Sequence, residues 1–373
     1  MTKKYKFLDL EQVNRPYADS LSKAVERVVR GGRYVGGPEV ATFEQELSAC
    51  VGADFAVGVS NGLDALRLIL RAYIEEGFMG PGDEVIVPSN TYIATILSVL
   101  DNGLRPVLVE PSLDTLNIDT SRIEAAITPK TKVILTVHLY GRVAYDAEMQ
   151  RIADRYDLRI VEDCAQSIGA KAADGRFAGA LGHAGAFSFY PTKNIGALGD
   201  AGAVVTSDEA LAARVRALAN YGSDRTYHNI YKGLNCRLDP IQAAALRVKL
   251  PYLERENHHR MAVAAVYEKN INNPMIIKPL FADDGSVVWH QYVVRVPNGL
   301  RDAFRRYLSE NGVETAVHYP TAPHRQPCMS EFAGLPLPLA EQVTAEVVSL
   351  PVSSCTSEED AVEISRIING FKA

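Results

Sequence analysis

Two stretches decide the fold of this chain: LRIVEDCAQ at residues 158–166 and GAFSFYPTKN at residues 185–194. Each begins with a short apolar run and ends in polar residues, a pattern that is typical of a strand buried on both faces of a sheet. The first run ends at Asp163, and Lys193 lies on the turn after the second run. Because ligands bind at the carboxyl ends of strands in open parallel sheets, we expect a functional site at this edge.

The pairing of an amine with a carboxylate predicts a site for pyridoxal 5'-phosphate. The Lys193 amine would form an imine with this cofactor, and the Asp163 carboxylate would keep the pyridine nitrogen protonated, so that the ring can accept electrons. Neither residue is specific by itself, since a strand-end aspartate can also form a structural salt bridge. Together the two residues predict an enzyme that uses this cofactor.

The bulk composition is that of a globular enzyme. The chain has 373 residues, is 47% hydrophobic and carries a formal net charge of −6. Its basic residues are dispersed, so we expect no nucleic-acid partner. No stretch approaches the ~18 apolar residues of a membrane span, and no apolar segment follows the first residues, so we expect no membrane association and a cytoplasmic location. The five scattered cysteines predict reduced thiols and no metal.

Alternating strand and helix patterns predict an α/β fold. We expect a large domain, residues 1–250, with a mostly parallel sheet covered by helices on both sides, and a smaller C-terminal α/β domain, residues 251–373. The predicted strands of the sheet lie at 56–60, 84–88, 106–110, 132–139, 158–163, 185–190 and 202–206, with helices such as 63–76 and 149–156 between them. The later predictions are a long helix at 240–267, strands at 287–296 and 313–319, and a terminal helix at 357–371.

Other polar and aromatic groups could contact the same cofactor. Ser60-Asn61-Gly62 ends a strand and opens a helix, so its backbone N–H groups and the helix dipole form a potential phosphate site, although an ordinary helix cap has the same sequence. Ser188 could add a hydroxyl to that phosphate. Gln166, about one helical turn after Asp163, could donate to the ring oxygen. Tyr92 could stack on the pyridine ring, or it could belong to the core.

The order and spacing of six segments resemble the DegT/DnrJ/EryC1/StrS family of nucleotide-sugar aminotransferases. The resemblance covers nearly the whole chain, and it implies the fold of aspartate aminotransferase and a homodimer with both active sites at the subunit interface. The segments that carry it are residues 31–40, 60–65, 88–95, 162–166, 187–194 and 233–239.

The family pattern assigns a role to each matching residue. It implies that Lys193 is the imine lysine and that Asp163 and Gln166 contact the ring. Leu63 departs from the usual threonine or serine, so it can contribute only a backbone N–H. The remaining residues that the resemblance implies are Gly62, Leu63 and Ser188 at the phosphate, Asn235 reaching that phosphate from the partner subunit, and His318 and Tyr319 at the sugar pocket.

The resemblance also implies the reaction. L-Glutamate would donate its amino group, leaving pyridoxamine 5'-phosphate, and a nucleotide-linked keto-sugar would accept it, with Lys193 moving the proton in both halves. Tyr190 and the loop at 194–203 resemble the subgroup that aminates the C3 ketone of dTDP-3-keto-6-deoxyhexoses, which gives 3-amino-3,6-dideoxy sugars for lipopolysaccharide, other glycans or antibiotics. Thr192 departs from the glycine expected there.

Three alternatives remain. The first is an aminotransferase specific for C4, a subgroup that usually carries a different loop after the lysine and a histidine at the position of Tyr190. The second is a dehydratase, which Lys193 disfavours because those relatives have histidine at its position. The third is a regulatory protein that binds the cofactor without catalysis, which the absence of a basic patch disfavours.

Overall fold

The computed structural model describes residues 4–372. Its strands are β1 Phe55–Val59, β2 Glu84–Pro88, β3 Arg105–Val109, β4 Thr131–Val137, β5 Arg159–Asp163, β6 Ala184–Ser188, β7 Gly202–Thr206, β8 Ser223–Arg225, β9 His228–Asn229, β10 Tyr292–Arg295 and β11 Val347–Leu350. Its α-helices are α1 Leu10–Asn14, α2 Ala18–Gly31, α3 Pro38–Val51, α4 Gly62–Glu76, α5 Ile93–Leu100, α6 Ala147–Tyr156, α7 Glu209–Ala219, α8 Pro240–Lys249, α9 Leu253–Asn270, α10 Arg301–Glu310, α11 Pro338–Glu346 and α12 Glu358–Asn369.

A seven-stranded sheet forms the centre of the large part of the molecule. Its strand order is β1-β7-β6-β5-β4-β2-β3, and only β7 runs antiparallel to its neighbours. Strands β2 and β7 are buried along their whole length, as the continuous apolar runs indicate. All seven predicted strands are confirmed, as is the mostly parallel α/β sheet.

Helices cover both faces of this sheet and enclose three buried apolar clusters, two of which show the pattern. One core contains Leu68 and Ile69 of α4 with Val204 of β7, and the other contains Phe43 of α3 with Phe187 of β6. Since residues alternate between the faces of a strand, adjacent strands contribute to both cores. The sheet is therefore rigid on both sides, and its carboxyl edge provides a fixed platform.

The C-terminal part has a core of its own around the two-stranded sheet β10-β11. Tyr267, Trp289, Tyr292 and Phe304 are fully or almost fully buried there, against helices α9, α10 and α12. The predicted terminal helix is confirmed as α12, which the Ser357 side chain caps by accepting from the Asp360 N–H at 3.1 Å.

Three predictions for this part were wrong in their extent or type. The helix predicted at 240–267 is divided into α8 and α9 by a 3-10 turn at Leu250–Tyr252, because Pro251 has no N–H and cannot lie in an α-helix interior. The strand predicted at 287–296 is confined to β10, since Val288 donates to the Gly141 carbonyl instead. Residues 313–319 form only isolated bridges, Val313 with Tyr5 and Ala316 with Ser349.

The N-terminal residues contact both parts of the chain. Tyr5 exchanges backbone hydrogen bonds with Gly312 and Glu314, while α2 packs against α8. The domain division at residue 250 stays a prediction, and residues 1–3 and 373 of those two ranges lie outside the described residues. Between residues 4 and 372 no helix combines the length and the apolar composition that crossing a bilayer requires.

Candidate active site

Asp163 lies at the carboxyl end of β5 in a buried network of hydroxyls. It is 7% exposed and accepts hydrogen bonds from the Thr95 hydroxyl at 2.9 Å and from the Ala165 N–H at 3.1 Å. Thr91 in turn contacts the Thr95 hydroxyl at 2.8 Å. Burial raises the pKa of Asp163, and these donors and the Lys193 charge oppose that rise. A cationic N–H beside the carboxylate would stabilise its ionised form. Neither threonine was predicted from the sequence, because Thr91 precedes the N-terminus of α5 and Asp163 lies far away along the chain.

Lys193 follows β6 on a tight turn, in which its N–H donates to the Tyr190 carbonyl at 2.9 Å. Burial lowers the pKa of the Lys193 amine to about 8, and the charge of Asp163 acts in the opposite direction. An appreciable fraction of the amine is therefore unprotonated near neutral pH. That form is the nucleophile and the base that imine chemistry requires.

Three of the predicted residues meet above this pair. The Gln166 amide donates to the Tyr319 hydroxyl at 3.2 Å, and its oxygen accepts from the Tyr140 N–H at 2.5 Å. The rings of Tyr92 and Tyr319 lie 5.0 Å apart. Tyr92 is 54% exposed, so it is not a core residue, and one alternative for it is thereby removed. A planar ligand between Asp163 and these rings would have an aromatic wall.

The start of α4 forms a narrow cradle. Asn61 caps the helix by accepting from the Asp64 N–H at 2.8 Å, as the helix-cap interpretation requires. The N–H groups of Gly62 and Leu63, however, donate to no acceptor among the described residues. A Cβ at Gly62 would lie 2.7 Å from Ser188 Cβ, so glycine is needed for Ser188 to approach. Two free N–H groups beside a hydroxyl at a helix N-terminus are chemically suited to a phosphate. The donors present therefore fit pyridoxal 5'-phosphate.

His318 lies beside this cleft and is held through its backbone and its ring. The Tyr140 hydroxyl donates to the His318 carbonyl, and His318 Nδ1 lies 2.8 Å from the Ser349 hydroxyl. Burial, followed by the Lys193 charge, lowers the pKa of His318 to about 4. The imidazole is consequently neutral near pH 7, with Nε2 available for a polar ligand.

The loop after Lys193 is anchored from α8. The Lys249 amine donates to the Gly196 carbonyl at 2.5 Å, and Gln242 accepts from the Leu198 N–H at 2.8 Å. Tyr190 is 50% exposed at the near end of this loop. Lys249 and Gln242 could not be predicted from the sequence, because their partners lie far away along the chain.

Asn235 is not brought to the other predicted residues by a hydrogen bond. Its side chain is exposed, and its backbone bridges Asn220 at the base of the β8-β9 hairpin. The next residue, Cys236, accepts from the Ser60 N–H at 3.0 Å, so this backbone runs beside the cradle of its own subunit. The role of the Asn235 side chain across a subunit interface stays a prediction.

A second buried polar cluster, behind the sheet edge, consists of His138, Glu162 and Cys164. The Glu162 carboxylate lies 2.8 Å from His138 Nε2 and accepts three backbone N–H groups of the loop at 179–182. Its lone pairs are thus occupied, and the cluster fixes that loop against β5.

A model of the DegT/DnrJ/EryC1/StrS aminotransferase family matches residues 17–369. The chain belongs to this family. It is 48% identical to the dTDP-3-amino-3,6-dideoxy-alpha-D-galactopyranose transaminase of Aneurinibacillus thermoaerophilus, over 98% of this chain and 99% of that protein. The crystal structure of Streptomyces venezuelae DesV in complex with a ketimine intermediate has a TM-score of 0.94 and 43% identity, covering 99% of this chain and 98% of that one. The structure of Bacillus subtilis ntda with bound cofactor pmp has a TM-score of 0.90 and 31% identity, covering 99% of this chain and 86% of that one.

Membership of the DegT/DnrJ/EryC1/StrS family confirms the predicted fold class and the predicted aminotransferase. The structure adds that Asp163, Lys193, Gln166 and Tyr319 lie around one cleft. The individual roles of the predicted site residues stay predictions.

Proposed function

We propose that this chain is a pyridoxal-phosphate-dependent aminotransferase that moves the amino group of L-glutamate to the C3 ketone of a dTDP-linked 3-keto-6-deoxyhexose. The product would be a dTDP-3-amino-3,6-dideoxyhexose for glycan, lipopolysaccharide or antibiotic sugar synthesis. The observation that carries the proposal is the buried Lys193 and Asp163 pair, in a chain 48% identical to a transaminase named for such a sugar.

Each group of residues would have a defined task. When bound, the cofactor supplies an electron sink for the carbon that loses a proton. The N–H groups of Gly62 and Leu63 and the Ser188 hydroxyl would hold its phosphate, and the Asp163 carboxylate would hold a proton on its ring nitrogen. Lys193 Nζ would take a proton from Cα of the amino acid in one half-reaction and return it to C3 of the sugar in the other.

Regiochemistry depends on how the sugar is oriented against Lys193. Tyr190 and the anchored loop after Lys193 lie next to the reacting amine, while His318 Nε2 and the Tyr319 hydroxyl could contact sugar hydroxyls. A misplacement of about 1 Å can cost roughly a hundredfold in rate. A loop fixed by Lys249 and Gln242 therefore discriminates between C3 and C4 ketones more sharply than a mobile loop would.

The decisive experiment supplies purified, cofactor-loaded enzyme with L-glutamate and either the 3-keto or the 4-keto isomer of a dTDP-6-deoxyhexose. We expect amination of the 3-keto isomer with the higher kcat/KM, with the amine located by NMR. A preference for the 4-keto isomer would establish the C4 alternative. No spectral change of the cofactor with glutamate would favour the regulatory alternative instead.

We also propose a homodimer with shared active sites. The hairpin segment at 221–230 exposes Tyr221, Tyr227 and Ile230 by 51%, 98% and 47% of their surface. Exposed apolar side chains clustered on one hairpin are typical of an interface. Asn235, at the base of this hairpin, would reach the phosphate of the partner subunit.

Subunit complementation tests the shared site. Lys193→Ala and Asn235→Ala should each be inactive or impaired, but a heterodimer of the two variants has one site free of both changes. Mixing with subunit exchange should therefore restore activity above that of either parent. Proven exchange without recovery would show that Asn235 does not act across the interface.

A further inference from the structure

A cavity of about 340 Å³ adjoins the active-site cleft and shares His318 with the proposed sugar pocket, but its other lining residues have no assigned role. Thr192, the residue before Lys193, lies on its wall together with His318. The opposite walls come from Phe7 and Leu8 of the N-terminal segment and from Arg260 of α9. The cavity therefore lies between the turn that carries Lys193 and the C-terminal part of the molecule.

Arg260 brings an unpaired positive charge to this cavity. The residue is 5% exposed, and its Nη1 donates to the carbonyls of Val352 at 2.8 Å and His290 at 3.4 Å. Its Nε has no hydrogen-bond partner between residues 4 and 372. None of the described residues places a carboxylate within ion-pair distance of Arg260, although the Glu256 charge, one turn earlier on α9, acts to raise its pKa. Burial lowers the pKa of Arg260 to about 10, so it stays charged near neutral pH. A buried, unpaired guanidinium is costly unless a ligand supplies the missing anion.

Two neighbours of Arg260 complete a polar wall. Gln291 is 8% exposed, and its Oε1 has no hydrogen-bond partner. Rotation of this amide would present its NH₂ group to an anion. His290 Nδ1 lies 2.8 Å from the side-chain oxygen of Asn194, the residue after Lys193. Burial, followed by the charges of Lys193, Arg260 and His318, lowers the pKa of His290, so this ring is neutral near pH 7.

The charge at the cavity rim limits the anion to a small one. Glu314 also lines the cavity and accepts from the Phe7 N–H at 3.1 Å. A diphosphate would bring several negative charges next to this carboxylate, whereas a single carboxylate opposite Arg260 would not. Thr192 and Asn194 flank Lys193 in the chain, and they lie on the cavity wall and against His290, respectively. A dicarboxylic amino acid with its Cα at Lys193 would therefore direct its second carboxylate towards this wall.

We propose that this cavity is the donor subsite, in which Arg260, assisted by Gln291, binds the side-chain carboxylate of glutamate. The inference rests on the proposed aminotransferase function and names the residues that select its amino donor. Alanine lacks the distal carboxylate and glutamine replaces it with an amide, so neither donor would pair with the guanidinium. Donor choice is then set by Arg260, while acceptor choice is set by the loop after Lys193.

The test compares wild type, Arg260→Gln, Arg260→Lys and the control Arg255→Gln. Arg255 lies on the same helix, but it is exposed and already paired with Glu256. Glutarate, a dicarboxylate without an amine, is titrated into cofactor-loaded protein by calorimetry, and kcat/KM is measured for glutamate and glutamine. We expect Arg260→Gln to weaken glutarate binding and to lower kcat/KM for glutamate by about a hundredfold, as for a lost charge-assisted hydrogen bond.

The comparison of donors separates a binding role from a structural one. Arg260→Gln should leave kcat/KM for glutamine and KM for the keto-sugar within about threefold of wild type, because those ligands do not pair with the guanidinium. Arg260→Lys should recover part of the preference for glutamate, and Arg255→Gln should retain all of it. If Arg260→Gln does not fold, Gln291→Leu replaces it, with an expected loss of about tenfold in glutarate affinity.

Three results would overturn the subsite. The first is equal glutarate affinity of wild type and Arg260→Gln, and the second is an unchanged ratio of glutamate to glutamine turnover in that variant. The third is a lower affinity of Arg260→Gln for dTDP, which would place the nucleotide at Arg260. For the Gln291→Leu substitute, unchanged glutarate affinity would be the corresponding refutation. Failure of the proposed function is separate, since wild type would then transfer no amino group from any donor. Arg260-dependent glutarate binding would still be measurable in that case.

Discussion

Replacement of Thr95 by valine should lower the free energy of unfolding, because the buried Asp163 carboxylate loses a hydrogen-bond donor. Thr95 is completely buried, and its hydroxyl donates to the Asp163 carboxylate at 2.9 Å. Valine has nearly the same shape, so the packing is kept, while the donor to the buried carboxylate and the hydrogen bond between the Thr91 and Thr95 hydroxyls are removed. Hydrogen bonds to charged groups contribute about 1.5–3 kcal/mol. We expect a loss in the free energy of unfolding of this size at pH 7.

A second buried threonine provides the matched control. Thr136 on β4 is also completely buried, but its hydroxyl has no hydrogen-bond partner. Thr136→Val removes a polar atom that makes no bond, so it should leave the free energy of unfolding unchanged or raise it by up to about 1 kcal/mol. Urea unfolding of both cofactor-free variants, followed by circular dichroism, measures the difference.

The stability loss of Thr95→Val should depend on pH through the ionisation of Asp163. Burial places the folded-state pKa of Asp163 above its ordinary value of 3.8, so the carboxylate costs stability once it ionises, as pH rises through that folded pKa. Without the Thr95 hydroxyl the folded-state pKa of Asp163 rises further, because a donor that favours the ionised form is lost. The deficit of Thr95→Val should therefore be full at pH 7 and shrink as pH falls and Asp163 takes up its proton. A Thr95→Val variant that is no less stable than Thr136→Val at pH 7 would refute this reasoning.

Three further outcomes follow from the site. Relative to Lys193→Met, the cofactor-free wild type should gain stability as pH rises from about 8 towards 10.5. In this window the folded chain has released the lysine proton that the unfolded chain still retains. If the difference between the two urea midpoints does not change with pH over this window, the lowered pKa of Lys193 is contradicted. Gly62→Ala should weaken cofactor binding by about tenfold, because the new Cβ would lie 2.7 Å from Ser188 Cβ. Gly31→Ala, which has open space around it, should bind the cofactor as wild type does. If fluorescence titration gives the two variants equal affinities, the phosphate is bound elsewhere. Asp163→Asn should bind cofactor but react with glutamate at least about a hundredfold more slowly in stopped-flow absorbance, and a wild-type rate would leave Asp163 a structural role.

The sequence by itself determined the sheet and the two residues at its centre. Hydrophobic patterning is a local property of the sequence, so apolar runs such as 158–163 predicted the strands. The end of that run placed Asp163 at the carboxyl edge of the sheet. The division of the helix at 240–267 was also available from the sequence, because Pro251 lies in its middle.

Only the tertiary structure decided which side chains meet. Thr95 and Asp163 are 68 residues apart along the chain, and Lys249 and Gly196 are 53 apart, so neither contact leaves a local pattern. The same holds for Arg260, whose helix predicts an ordinary surface arginine. Its burial, and the cavity that it lines, arise because the N-terminal segment and the C-terminal core fold around α9. Periodicity specifies which face of an element is buried, but the partner that covers that face is set by the packing of the whole chain.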